Sequence, residues 1–448
     1  MTMLLKEPQL DLLHTMNSLN SQKIKDKKDT LHVLSLFSGC GGMDLGFEGD
    51  FPVLKESIGN SEFVKKDLNN GFVQLKKTRF KTVFANDILS GARVAWTNYF
   101  SKRGRDPNDF ILKSIVDLVK MHKEGVSIFP DEIDIVTGGF PCQDFSIAGK
   151  RKGFNSNKNH KGEIISNEVC SVATRGQLYI WMKEVIDITK PKMFIAENVK
   201  GLVNLGDVKN IIQNDFSKAG DNGYIVLEPQ VLHAADYGVP QSRERVFFIG
   251  IKKSALTENS LNALLTTPLT EEYNPYPQPT HSYTYQDSDL KKFVKLKHVF
   301  KHLVEPDFSK DLSQKSYSKA KYMGKHCQGQ IEVNLEGISP TIRAEHHGNI
   351  EFRRLSKKNG GKIYAELNNG LSERRLTVRE CALIQTFPPD YEFVIPNQNG
   401  RKGSYMLSPS KAYKVIGNAV PPLLAYNLAK RIENIWKLYF GENDDNLC

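Results

Sequence analysis

A chain of 448 residues, 40% hydrophobic and 25% charged, has room for two domains and the composition of an ordinary globular protein. No apolar run approaches bilayer length, and residues 1–17 lack a basic region ahead of an apolar one, so neither a membrane span nor a secretory leader is expected and the cytoplasm is the expected location. A formal net charge of +10 suits a polyanionic partner, while six scattered cysteines without a CxxC pair argue against a zinc ribbon or a disulfide scaffold, predict no metal, and leave room for one reactive thiol.

Residues 1–30 are polar and end in the lysine-rich KIKDKKD, which reads as a short helix and a tether. LHVLSLFSGCGGMDLGF (31–47) then gives an apolar strand, a glycine-rich turn and a helix start. Gly39, Gly41 and Gly42 permit a tight bend and close backbone approach, and the helix offers its N-terminus to a ligand. After a long link over 50–80, for which the sequence suggests no function, TVFAN (82–86) reads as a strand. Asp87 follows at its end, where a carboxylate can accept hydrogen bonds from both hydroxyls of a ribose.

IDIVTGG (133–139), MFIAEN (193–198), VLEPQVLHA (226–234) and RVFFIGI (245–251) are further strands. In QLYIWMKEVIDITK the residues Leu178, Trp181, Met182, Val185 and Ile188 share one helical face. Strands alternating with helices predict a parallel, doubly wound α/β sheet over 31–251. At its strand ends stand GGFPCQDFS (138–146) and AENV (196–199), and QSRER (241–245) precedes a strand. A thiol at Cys142, a carboxylate at Glu197 and guanidiniums at Arg243 and Arg245 would then converge on one sheet edge, where open α/β folds bind ligands. A cysteine so placed can have its pKa lowered by a helix N-terminus or a cation.

Past residue 251 the alternation stops. Residues 252–372 are rich in Thr, Ser, Asn, Pro, Lys and Gly and read as a second, smaller, irregular domain. Regular structure returns over 373–448. Thr377 and Glu380 form a capping box ahead of one helix, and PPLLAYNLAKRIENIWKLYF carries an apolar stripe of Leu424, Leu428, Ile432, Ile435 and Trp436.

The blocks FSGCGG, GGFPCQDFS, RGQLY, AENVKGL, QSRERVFFIG, RRLTVRECALIQTFP and VIGNAVPP, in this order, resemble the motifs of the C5-cytosine DNA methyltransferase family. The resemblance covers nearly all of 31–251 and 373–440. It implies a Rossmann-like methyltransferase sheet of seven strands, a last helix that folds back beside the first glycine turn, and a target-recognition domain at 252–372. It also implies S-adenosyl-L-methionine as methyl donor, lying against Phe37, Gly39, Gly41, Gly42 and Asp87, with Gly139, Pro141, Leu178 and Asn418 near its methionine end or body. Double-stranded DNA is the implied partner, and the target cytosine must leave the stack to be reached.

Within this resemblance Cys142 is the nucleophile that attacks C6, and Glu197 hydrogen-bonds or protonates N3. Arg245 contacts the base carbonyl, and Arg243 supports the site or holds the backbone. Ser146, Lys150, Arg151 and Lys152 form a loop that closes on DNA. The lysines from Lys291 to Lys325 are phosphate candidates. Arg343, Glu345, His346, His347, Asn349, Arg353 and Arg354 are candidates for reading base edges.

Two departures stand out. The usual acidic residue near the cofactor adenine is replaced by Ser114-Ile115 or Asp117 in LKSIVDL, and the 50–80 link is longer than a minimal member needs. A tRNA methyltransferase of the same fold usually has a second proline before Pro-Cys and a shorter recognition region; Phe140 and the 252–372 insert favour DNA. A dinucleotide oxidoreductase would leave the Pro-Cys and ENV motifs unexplained, and a catalytically dead DNA-binding relative would not retain Cys142, Glu197, Arg243 and Arg245. A single recognition domain with a short N-terminal segment predicts a monomeric bacterial modification enzyme whose site is shared with a cognate restriction endonuclease.

Overall fold

Alternating burial along each strand builds the molecule, because successive side chains of a strand point to opposite faces. The computed structural model describes residues 29–141, 177–284, 289–344, 348–401 and 403–441. Its strands in chain order are β1 (Leu31–Leu36), β2 (Pro52–Leu54), β3 (Val64–Asp67), β4 (Phe72–Leu75), β5 (Phe80–Asp87), β6 (Phe110–Leu112), β7 (Ile135–Gly139), β8 (Met193–Val199), β9 (Tyr224–Val226), β10 (Gln230–His233) and β11 (Glu244–Lys252). The main sheet runs β10-β11-β8-β7-β1-β5-β6, with β9 added alongside β11. Val33, Ile135, Ile195, Phe247 and Ile249 enter one apolar cluster; Leu34, Val136, Phe194, Phe248 and Val246 enter the other. Covered on both faces, these strands read as near-continuous apolar runs.

The sheet is mixed, not wholly parallel as expected. β6, β5, β1, β7 and β8 are parallel, joined by the helices Ser90–Phe100, Ile115–Lys123 and Leu178–Thr189. β11 is antiparallel to β8 and to β10. The reason is local: β10 reaches β11 through a short helical turn at Ala234–Tyr237, and without a crossover helix the chain can only reverse. VLEPQVLHA likewise splits into β9 and β10 around Leu227–Pro229, since proline cannot donate to a ladder. From β1 the chain goes to β5 on one side and later to β7 on the other. This leaves a crevice at the C-terminal end of β1, where such folds bind ligands.

Residues 50–80, unassigned from sequence, form a three-stranded antiparallel sheet, β2-β4-β3. It braces region 252–372: Lys291 Nζ donates to the Ile58 carbonyl at 2.8 Å, and His298 lies 3.4 Å from Glu56. That region is irregular, as expected, with short helices at Leu296–Phe300 and Leu312–Lys315. Its buried Val299, Val333, Ile342 and Ile350 join the same apolar cluster as the C-terminal helix. Among the described residues no helix is long and apolar enough to cross a membrane.

The last helix, Pro422–Phe440, does fold back onto the helix Gly42–Glu48, and its predicted stripe is buried. Contact depends on Gly46, where a Cβ would stand 2.4 Å from Ala425 Cβ and 2.5 Å from the Pro422 carbonyl. Since both obstacles belong to helix, neither can step aside cheaply. Gly46→Val is expected to lose about 3 kcal/mol or more of stability by overpacking, read as a lowered denaturant midpoint. The Thr377–Glu380 capping box forms as predicted.

Candidate active site

Because β11 runs against β8, its first residues lie beside the last residues of β8, and two motifs distant in sequence share one edge. Arg245 is paired in register with Val199, and Phe247 with Glu197. Glu197 also pairs with Gly139 of β7, where a Cβ would stand 2.8 Å from Glu197 Oε2. Only glycine lets this carboxylate lie flat across the strand end. Arg245 Nε donates to Glu197 Oε1 at 2.9 Å. Burial pushes the Glu197 carboxyl up from its ordinary value, against the opposing pull of Arg245 and Arg243. Here desolvation outweighs two nearby cations, so the group is poised to hold a proton. Next along β8, Asn198 Nδ2 donates to the Phe140 carbonyl at 3.2 Å. That bond fixes the chain two residues before Cys142.

Cys142 itself lies outside the described residues, as do Ser146, Lys150, Arg151 and Lys152. Cys40 and Cys381 are buried, and burial drives both thiols well above the ordinary range. They are inert packing residues.

Arg243 occupies a different position from Arg245. It is fully buried and donates to the carbonyls of Ile342 at 3.1 Å, Gly417 at 3.0 Å and Ala419 at 2.8 Å. These bonds give Arg243 the backbone-holding role expected of it as one possibility, because carbonyls from two other segments engage its guanidinium. Gln241 works beside it, accepting from Ile342 N at 2.8 Å and donating to Gln385 at 2.9 Å. Gln385, which falls in the block RRLTVRECALIQTFP but was not among the predicted site residues, donates its amide onward to the Ile416 carbonyl.

At the end of β1, Phe37 takes a left-handed backbone, φ 51°, uncommon for a bulky residue and a mark of a strained functional turn. Gly39 also has positive φ, and the space beside it is open within 4 Å. Gly41 and Gly42 differ. A Cβ at Gly41 would strike Phe100 and Trp96, and one at Gly42 would lie 2.2 Å from the Val420 carbonyl. Packing by itself demands glycine at these two positions. Asp87 accepts from Gly39 N at 2.9 Å and Leu89 N at 2.8 Å, and burial raises its pKa against those bonds. Asp44, absent from the predicted site, braces the turn from below: it accepts from Ser35, Ser38 and Trp96, and burial holds it at about 6. An acid in the first turn after a glycine bend was the available signal.

Asn418 is exposed at the end of the helix Pro409–Asn418, beside this turn. Pro141 is half-buried at the end of the described chain before Cys142. Leu178 is buried in the apolar cluster, leaving its backbone at the helix start as its contribution to any ligand. Ile88 is exposed directly after Asp87, and Leu112 beside Asp87 in register is exposed too. An open space at Gly39, a carboxylate and exposed apolar side chains at two strand ends fit a nucleoside-containing ligand.

Two base-reading candidates are corrected. Arg353 and Arg354 are buried among Glu305, Glu366 and Glu380, so neither can reach a groove. Arg343 is likewise engaged, by Gln328 and Glu351. Glu345, His346 and His347 lie outside the described residues.

A family model for C-5 cytosine-specific DNA methylase matches residues 31–434. The chain belongs to that family. Methylation of carbon 5 of cytosine in DNA is its activity, and the family implies S-adenosylmethionine as methyl donor. The chain is 31% identical over 434 residues to the Type II methyltransferase M.BsuRI of Bacillus subtilis, covering 95% of this chain and 84% of that one. It is 31% identical over 437 residues to M.BspRI of Lysinibacillus sphaericus, covering 95% and 87%. Its fold is similar to that of the Entamoeba histolytica methyltransferase EhMeth, with a TM-score of 0.53 at 15% identity over 92% of this chain and 100% of that one.

Proposed function

We propose that this methyltransferase acts through a covalent bond from Cys142 to C6 of a cytosine flipped out of duplex DNA, with Glu197 as proton donor to N3. The observation that carries the reading is the buried Glu197, paired to Arg245 yet raised toward its protonated form. In sequence, the Cys142 thiolate adds to C6, and the displaced π electrons give C5 enamine character as Glu197 protonates N3. When bound, S-adenosylmethionine supplies the electrophilic methyl that C5 takes up. The C5 proton then passes to water, the C5–C6 double bond reforms as the S–C6 bond breaks to return the thiolate, and N3 gives its proton back to the Glu197 carboxylate. Arg245 orients Glu197 and faces the base carbonyl; Arg243 and Asn198 hold the surrounding backbone.

The turn at Phe37 and Gly39, with Asp87, is the proposed seat of the cofactor nucleoside, and Ile88 offers apolar surface to its heterocycle. Asp87→Ala is expected to weaken S-adenosylmethionine binding by about 1–3 kcal/mol, as for loss of charge-assisted hydrogen bonds, with the DNA site unchanged. Calorimetry showing wild-type affinity would return Asp87 to a purely structural role.

M.BsuRI and M.BspRI are named as Type II methyltransferases, which supports modification of host DNA against a cognate endonuclease sharing the site. One chain carries every proposed catalytic residue, so a monomer suffices, and the cytoplasm is the corresponding location. Residues 252–372 are the proposed target-recognition domain. Transfer of labelled methyl to duplex DNA but not to tRNA, with one bisulfite-protected sequence context, is the expected result. Transfer to tRNA alone would overturn the reading.

A further inference from the structure

The recognition region is anchored at the catalytic edge. Ser242 N donates to the Ser339 carbonyl at 2.8 Å, Ser339 N to the Pro240 carbonyl at 2.9 Å, and Arg243 reaches Ile342. Its Arg353 and Arg354 are engaged by glutamates, as is Arg374 just past its end, and the neighbouring Arg375 is engaged by the carbonyls of Ala320 at 2.7 Å, Gly329 at 2.6 Å and Lys321 at 3.1 Å. Arg375 thus clips both ends of the segment 320–329 onto the core. What that segment exposes is a row of donors, Lys321, Lys325, His326 and Gln328 among them. No acidic residue occurs between Asp311 and Glu332.

Gln328 is the member whose direction is fixed. Arg343 Nη1 donates to its Oε1 at 2.8 Å, and Arg343 is itself held by the Asn349 carbonyl at 2.8 Å and by Glu351 at 3.0 Å. A guanidinium can only donate, so the atom facing it must be the amide oxygen, and the ambiguity of an amide flip disappears. With one lone pair of the oxygen taken by Arg343, the two N–H donors of the Gln328 amide lie on the side away from that guanidinium. A side chain turned this way offers donors more readily than the paired donor–acceptor contact that reads adenine.

We propose that Gln328, oriented by Arg343, is a specificity-determining residue that donates to the acceptor edge of a guanine near the target cytosine. Guanine presents two adjacent acceptors, O6 and N7, in the major groove, and a donor row matches that edge better than any other. The inference rests on the reading of 252–372 as the recognition region.

Gln328→Glu is the sharp test, since the carboxylate still accepts from Arg343 but has no proton to give. Randomised duplexes methylated by wild type, Gln328→Glu and Gln328→Ala would be read by bisulfite sequencing. The expected result is lost preference at one guanine-containing base pair. Turnover on the wild-type site should fall about tenfold to a hundredfold, and S-adenosylmethionine affinity should not change. An unchanged site preference in both variants would overturn the proposal, as would a loss equal in all contexts, which marks a phosphate contact. Transfer of the wild-type site by a hybrid carrying residues 252–372 tests the underlying reading separately.

Discussion

Cys142→Ser is expected to abolish turnover while leaving the fold, cofactor binding and much of the DNA affinity intact. A serine hydroxyl at this position is far less ionised than a thiol, and its alkoxide would need a strong base nearby. The chain leading to position 142 is held in place. Pro141 stiffens the chain ahead of it, and Asn198 holds the Phe140 carbonyl. Among the described residues no buried thiol can substitute, because Cys40 donates to the Val415 carbonyl inside the core and Cys381 is enclosed. Cys327 is exposed, but on the 252–372 region. DNA with 5-fluorocytosine at the target should trap wild type covalently, since fluorine cannot leave C5 as a proton does. Peptide mapping should find the adduct on residue 142. Substantial methylation by the serine variant, or an adduct on Cys327, would defeat the assignment.

How much of this was legible depended on whether a feature is local. Strands β1, β5, β7, β8 and β11 could be read from runs such as MFIAEN and RVFFIGI because burial on both faces demands unbroken apolar sequence. The meeting of Glu197 with Arg245 was legible from motif order, although its cause, the reversal of β11, was not. That reversal is set by a short turn at Ala234–Tyr237, which looks like any other connection in sequence. The insertion over 50–80 was opaque, since β3 is largely exposed and carries no sustained apolar alternation. Arginines misled for a plain reason. A guanidinium able to read guanine is equally able to bind glutamate, and Arg354 meets Glu305 across 49 residues of chain. Only the fold reveals which partner it took. The same holds for Gly41 and Gly42, whose clashes come from Trp96 and Val420.

Glu197→Gln should lower kcat by about 10²–10⁴-fold, the range lost with a general acid, while changing cofactor and DNA affinity little. Glutamine keeps the size and a hydrogen-bond donor but cannot deliver a proton to N3, so the negative charge that builds on the ring goes unrelieved. The pH profile separates this from a structural role. Burial raises the Glu197 carboxyl, so its protonated, active form persists to higher pH than an ordinary glutamate would allow. Activity should therefore fall as pH rises through that raised value, and this alkaline limb should be missing in the residual activity of Glu197→Gln. Arg245 opposes the shift, with its Nε 2.9 Å from Glu197 Oε1. Arg245→Met should consequently move the limb to still higher pH while lowering the maximal rate, because a cation that favours the carboxylate has gone and the base carbonyl has lost its partner. A limb that stays in place in Arg245→Met, or survives in Glu197→Gln, would show that another group titrates and that Glu197 is not the acid.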